Sequence, residues 1–151
     1  LLERAGPGMK TQGDITALFT VLVEGDDFNE PISDAVRGIL DGHLILSRKI
    51  AERGRFPAID ILKSISRVLP DCNSDAENAL LSEARHYISA YEDMAELIRL
   101  GAYRKGSDQD VDRAIALNQA FENFFKQDRN VKVTLDEGYA ALKHILTAET
   151  A

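Results

Sequence analysis

The sequence contains no G-x-x-x-x-G-K-[ST] motif, and its ten glycines are scattered along 151 residues. That motif cradles a triphosphate in backbone N–H groups, so a self-contained phosphate-loop site is excluded from this chain. The single cysteine, Cys72, rules out an internal disulfide and a cysteine-based metal site, and it fits a reducing compartment. His43, His86 and His144 are dispersed, with neither an H-x-x-x-H pair nor a carboxylate–histidine spacing. A self-contained metallohydrolase or a histidine-based triad is therefore not expected. No apolar run approaches the length of a membrane span; the longest lies near Ile15 to Val23. The formal charge of −7 argues against a broad nucleic-acid surface, though not against a small basic patch. The opening Leu1-Leu2-Glu3-Arg4-Ala5-Gly6 has no leading Met and does not resemble a signal peptide; it reads as the tail of an interrupted helix.

What is present divides in two. With 44% apolar residues the chain has material for one sizeable core or two small ones. Residues 1 to about 70 mix apolar runs with turns. Gly6, Pro7, Gly8 and Gly13 mark a mobile loop over residues 6–14. Ile15 to Val23 is rich in β-branched residues without strict alternation, which suits a strand buried on both faces. After the polar turn Glu24-Gly25-Asp26-Asp27, Pro31 opens a helix carrying Ile32, Ala35, Val36, Ile39 and Leu40. Asp41-Gly42 stops it, His43 to Ser47 forms a second strand, and Lys49 to Arg53 adds a helical turn before Gly54. Strand, helix, strand is a βαβ unit.

Residues 74–148 are almost wholly helical in pattern. Ser74-Asp75-Ala76-Glu77 and Thr134-Leu135-Asp136-Glu137 are capping boxes, and Ser107 to Asp110 opens a helix in a similar way. The apolar stripes are Leu80, Ala84, Tyr87, Tyr91, Met94 and Ile98; then Val111, Ala114, Ile115, Asn118, Phe121, Phe124 and Phe125; then Tyr139, Leu142, Ile145 and Leu146. The first helix ends at Gly101 or Gly106. Three such helices can share a small core. A joint between the two parts is expected near Pro70-Asp71.

Three places carry candidate chemistry. Arg67 follows the amphipathic stretch Ile59, Ile61, Leu62 and Ile65; held near an element end, its planar fork can offset charge on a phosphoryl group, or it is a surface arginine. Phe56 precedes Pro57, which restricts it to extended geometry. It is either an aromatic fixed to stack on a base or a core or hinge phenylalanine. Asp26, Asp27 and Glu30 come after the expected first strand, where α/β sheets bind ligands. They either hold a magnesium-associated water or a partner's basic group, or serve as turn formers and helix N-terminal charges.

The runs Thr20 to Ile32, Asp34 to His43 and Leu46-Ser47-Arg48 resemble the flagellar branch of the type III protein-export ATPases. This family is similar to virulence secretion ATPases and to the catalytic subunit of rotary ATP synthases. Phe56-Pro57-Ala58-Ile59-Asp60, Ser64-Ile65-Ser66-Arg67, Ile98 to Tyr103 and Gly106-Ser107-Asp108 continue the resemblance, which covers essentially the whole chain. It implies an α/β fragment of a RecA-like P-loop ATPase domain over residues 1–70, followed by an all-helical C-terminal domain over 71–151. The implied parent hydrolyses ATP with Mg2+ at the interfaces of a homohexamer.

By the same resemblance Arg67 is the arginine finger offered to the neighbour's γ-phosphate, and Phe56 is the ring that packs on adenine. Tyr103 is a second adenine-side contact. Implied partners are a flagellar ATPase regulator, a coiled-coil stalk protein, the membrane export gate and export chaperone–substrate complexes. The implied place is the cytoplasmic face of the inner membrane. The family's phosphate-loop lysine, catalytic glutamate and magnesium-site aspartate have no matching residues and are expected to precede Leu1. The isolated chain is thus expected to show no ATP turnover. An alternative keeps residues 74–148 as a helical binding module or structural fragment.

Overall fold

A computed structural model describes residues 2–23 and 31–148. Two compact units are present, Leu1–His43 and Leu44–Ala151. The division falls between His43 and Leu44.

In the first unit a 3-10 turn, Leu2–Arg4, leads into residues 6–15. Gly6 N–H donates to the Ile15 carbonyl at 2.9 Å and Ile15 N–H returns to Gly6 at 3.0 Å, closing the segment at its mouth. Gly8 N–H donates to Asp14 Oδ1 at 3.0 Å. A Cβ on Gly8 would lie 2.5 Å from the Gly13 carbonyl oxygen, so the close approach requires glycine.

The strand expected over Ile15–Val23 does not form. Residues 16–23 carry no regular secondary structure, and Leu18 and Leu22 are 93% and 91% exposed. The physical reason is pairing: β-branched residues favour extended backbone, but a strand needs a ladder partner, and beyond the single bridge from Ile15 to Gly6 none runs beside this segment among the described residues. The expected βαβ unit is accordingly reduced to a helix, α1 (Pro31–Ile39), leading into β1 (Gly42–Leu46). Proline opens α1 because its missing N–H would be unsatisfied there anyway.

β1 pairs with β2 (Ile59–Ser66) in a two-stranded sheet, and a short helix, α2 (Arg48–Glu52), lies between them in sequence. Ser47 N–H donates to the Ala58 carbonyl at 2.9 Å and extends the pairing. β2 is bent. In extended chain, residues four apart are separated by about 13 Å. Here Ser64 Oγ donates to the Asp60 carbonyl at 2.6 Å, and Lys63 N–H donates to Asp60 Oδ1 at 3.2 Å. The same Ser64 hydroxyl accepts from Ile45 N–H at 3.0 Å, which explains why a serine is buried at this point.

The helical part obeys its sequence signals closely. α3 (Asp75–Arg99) and α5 (Leu135–Thr147) start at full capping boxes, Ser74 with Glu77 and Thr134 with Glu137. α4 (Gln109–Phe125) starts at Asp108, whose carboxylate accepts from Asp110 and Val111 N–H. α3 ends because Gly101 takes φ +68°, where a Cβ would be strained. Ala102 N–H then reaches the Leu97 carbonyl at 2.9 Å, and Gly101 N–H the Ile98 carbonyl at 3.1 Å.

Ala84 of α3, Leu117 and Phe121 of α4, and Leu142 and Leu146 of α5 form one buried cluster. Leu80, Tyr87, Phe124, Phe125 and Ile145 pack against it. Leu117, outside the expected stripe, lies deeper than Ile115: burial at 114, 117 and 121 has the spacing i, i+3, i+7. Arg113 closes the far end, its Nη2 donating to the Leu146 and Ala148 carbonyls at 2.7 and 3.1 Å. Arg85 of α3 donates to the Leu62 carbonyl of β2 at 3.2 Å, joining strand to helix within this unit.

Candidate functional site

Phe56 stands in the loop between α2 and β2. Gly54, at φ +76°, turns the chain out of α2. Pro57, with its ring-locked φ, stiffens the loop on the other side of Phe56. The Phe56 ring is 57% exposed. A core phenylalanine would be buried, so that reading does not hold. Nor is the loop loose, because the Phe56 carbonyl accepts from Gln127 N–H at 2.9 Å, just beyond α4.

Between these two segments lies an open cleft of about 430 Å³, lined by Phe56, Pro57, Gln127, Asp128, Arg129 and Val131. Its far wall is ordered by its own bonds. Val131 N–H donates to the Asp128 carbonyl at 3.1 Å, and Gln127 Nε2 donates to the Val131 carbonyl at 3.0 Å. An exposed ring face, a proline, a valine and a few polar groups suit a flat heteroaromatic ligand.

Arg67 comes directly after the last residue of β2 and is exposed. It does not line the Phe56 cleft. That separation is compatible with a role towards a different ligand group or a neighbouring molecule. Tyr103 does not line the cleft either. Its hydroxyl donates towards the Asp108 carbonyl and Asp112 Oδ1, both at 3.0 Å, while Asp112 Oδ2 accepts from Gly106 N–H at 2.7 Å. Tyr103 thus braces the α3–α4 connection. Asp26, Asp27 and Glu30 lie outside the described residues. Among the described residues no group of three or more His, Cys, Asp or Glu side chains is arranged to hold a metal ion. No described helix is long and apolar enough to cross a membrane.

Two features escape sequence reasoning. The side chain of Arg55, next to Phe56, is only 12% exposed, and its guanidinium touches both the start of β2 and α4. His86 of α3 meets Asp110 of α4 at 3.3 Å, a carboxylate–histidine pair on the surface that no local spacing announces. Both join residues far apart in sequence, so neither has a motif.

Residues 1–66 match the ATP synthase alpha/beta family, nucleotide-binding domain, and residues 74–144 match the T3SS EscN ATPase C-terminal domain. The flagellum-specific ATP synthase of Caulobacter vibrioides is 57% identical, covering 99% of this chain and 35% of that protein. The assembled ATPase EscN from the enteropathogenic E. coli type III secretion system superposes with a TM-score of 0.91 at 39% identity, over 97% of this chain and 35% of EscN. EscN in complex with its central stalk EscO gives 0.85 at 38% identity, over 97% of this chain and 34% of EscN. The chain spans about a third of the length of these relatives. On sequence and fold together, it belongs to the flagellar and type III secretion ATPase family, related to ATP synthase catalytic subunits, and corresponds to the C-terminal part of its members.

Proposed function

We propose that this chain is the adenine-side and trans-acting portion of an ATPase that couples ATP hydrolysis to export of flagellar proteins. Residues 1–70 act as the C-terminal part of the RecA-like nucleotide-binding domain and residues 71–151 as the helical domain. The observation that carries the reading is the exposed Phe56 ring, fixed by its backbone bond to Gln127 and facing a cleft closed by Gln127 to Val131. The ring stacks on adenine, which favours the base without reading its phosphates.

Arg67 reaches across a subunit interface of a homohexamer to the neighbour's γ-phosphate. There its always-charged fork offsets the negative charge that develops during phosphoryl transfer. Tyr103 serves as a second adenine-side contact through its ring, while its hydroxyl stays bonded to the Asp108 carbonyl and Asp112 and braces the α3–α4 connection. The phosphate grip and the Mg2+ ligands are assigned to no described residue, so this chain alone binds the base weakly and turns over no ATP.

The helical domain supports a second role. Residues 97–107 hold Arg99, Arg104 and Lys105 and no acidic residue, in a chain whose overall charge is −7. A basic connection between two helices suits an acidic coiled-coil stalk, and EscN, similar to this chain, has a central stalk in EscO. The ATPase regulator, export gate and chaperone–substrate complexes are further proposed partners, at the cytoplasmic face of the inner membrane.

The test is a titration of the chain with ATP, adenosine and inorganic triphosphate, monitored by NMR. Adenosine and ATP should perturb Phe56 and Val131 at similar, roughly millimolar concentrations, as a base-only wall requires, while triphosphate should leave them unmoved. A triphosphate-driven shift at these residues, or ATP hydrolysis by the pure chain, would overturn the reading.

A further inference from the structure

We propose that Arg55 is a positioning residue that holds the Phe56 ring at a fixed separation from the opposite wall of the cleft. The proposal rests on the base-wall reading of Phe56. Arg55 sits in an exposed run: Arg53, Gly54, Phe56 and Pro57 are all exposed, yet its own side chain is only 12% exposed. A long cationic side chain turned inward from a surface loop is unusual unless it is held by partners.

Its partners come from two elements. Nη2 donates to the Ile59 carbonyl at 3.1 Å, at the start of β2, which ties the loop to the strand after it. Nη1 meets Glu122 Oε1 at 3.3 Å on α4. The guanidinium carbon lies 5.4 Å from the centroid of the Phe125 ring, also on α4. Glu122 is 49% exposed, so the ion pair alone contributes little. The combination matters more. One planar fork spans loop and helix while its face rests on an aromatic ring, an arrangement an ammonium group cannot copy.

The next residue is Phe56, whose carbonyl takes the Gln127 N–H as α4 gives way to the far wall of the cleft. Arg55 and Gln127 therefore fasten the two walls to each other from opposite sides of Phe56. If Phe56 stacks on a base, the stacking distance and tilt are set by this clamp. Phe125 in turn packs against the buried core of the helical bundle. The base wall is thereby anchored to the helical domain rather than to the sheet alone.

The experiment uses the 151-residue chain, with Arg55→Lys, Arg55→Ala and Phe56→Ala compared with wild type. Two readouts are taken: amide hydrogen exchange at Gln127, with Leu117 as the core reference, and adenosine affinity by NMR titration. Both Arg55 variants should speed Gln127 exchange by about tenfold or more while Leu117 stays protected, as expected for a local opening. Both should weaken adenosine by about fivefold, a partial loss of stacking. Arg55→Lys keeps the charge, so a folding defect in Arg55→Ala leaves the question answerable.

Unchanged Gln127 exchange in both Arg55 variants would overturn the clamp. So would faster exchange with wild-type adenosine affinity. If Phe56→Ala binds adenosine as wild type does, the base-wall reading itself fails and the positioning role falls with it. If Phe56→Ala weakens binding and Arg55→Lys does not, only the clamp fails.

Discussion

Replacing Phe56 with alanine separates a stacking ring from a structural one. Because Phe56 is 57% exposed, folding withdraws less than half of its surface from water, and its loss should cost only about 1 kcal/mol of stability. The backbone bond from Gln127 N–H to the Phe56 carbonyl does not depend on the side chain. What the variant removes is the ring face that lines the cleft. Stacking on an aromatic ring is worth ~1–3 kcal/mol per base, so adenosine affinity should fall by roughly five- to 150-fold. Phe56→Tyr keeps the face and should bind within about twofold of wild type. The assay is a titration with adenosine, monitored at Val131 and Gln127, beside a urea denaturation of each variant. A Phe56→Ala chain that unfolds more easily by several kcal/mol, as a core phenylalanine would, refutes the exposure argument. One that binds adenosine unchanged refutes the stacking argument.

Two other perturbations test the scaffold. Leu117 is 2% exposed and sits at the centre of the three-helix cluster; Leu117→Ala should cost about 2–5 kcal/mol by urea denaturation, with a smaller cost at half-buried Ile115. Glu77 and Glu137 are held below the ordinary glutamate value of 4.5: for Glu77 by the Ser74 hydroxyl and then its N–H, for Glu137 by the Thr134 N–H and then its hydroxyl. A lowered folded-state pKa contributes stability that is fully present above the unfolded value and is lost as pH falls through the folded one. The melting temperature of wild type should therefore drop more between about pH 5 and 3 than that of a Glu77→Gln/Glu137→Gln variant; equal slopes would mean that the capping carboxylates are not coupled to folding.

The parts of this fold that are legible in sequence are those encoded locally. Ser74 with Glu77 and Thr134 with Glu137 are chemical starts for helices, and both form as capping boxes. Gly101 is a chemical stop, and α3 ends at Arg99 just before it. The segment Ile15–Val23 shows the opposite. Its composition encodes extended backbone, but a strand is a property of two segments, and its partner is not written in its own residues. In α4 the core register departs from the expected stripe, with Leu117 taking the place given to Ile115, because the packing of α3 and α5 decides which face is buried. At the candidate site, Phe56-Pro57 can be singled out because proline constrains its neighbour. Arg55 cannot, because its meaning comes from Glu122 and Phe125, far along the chain. Tyr103 is legible as an aromatic near the right motif, but its hydrogen bonds to the α3–α4 connection exist only in three dimensions.

The central claim is that this chain supplies a base wall and an arginine for a neighbouring subunit's site. The most direct test is Arg67→Ala in an assembled hexameric ATPase that carries this segment, with turnover and nucleotide affinity measured on the same preparation. Turnover should fall by about a thousandfold or more, as for loss of an arginine finger, while the nucleotide dissociation constant stays within about twofold. Retained turnover, or a loss of binding that accounts for the lost activity, would contradict the claim.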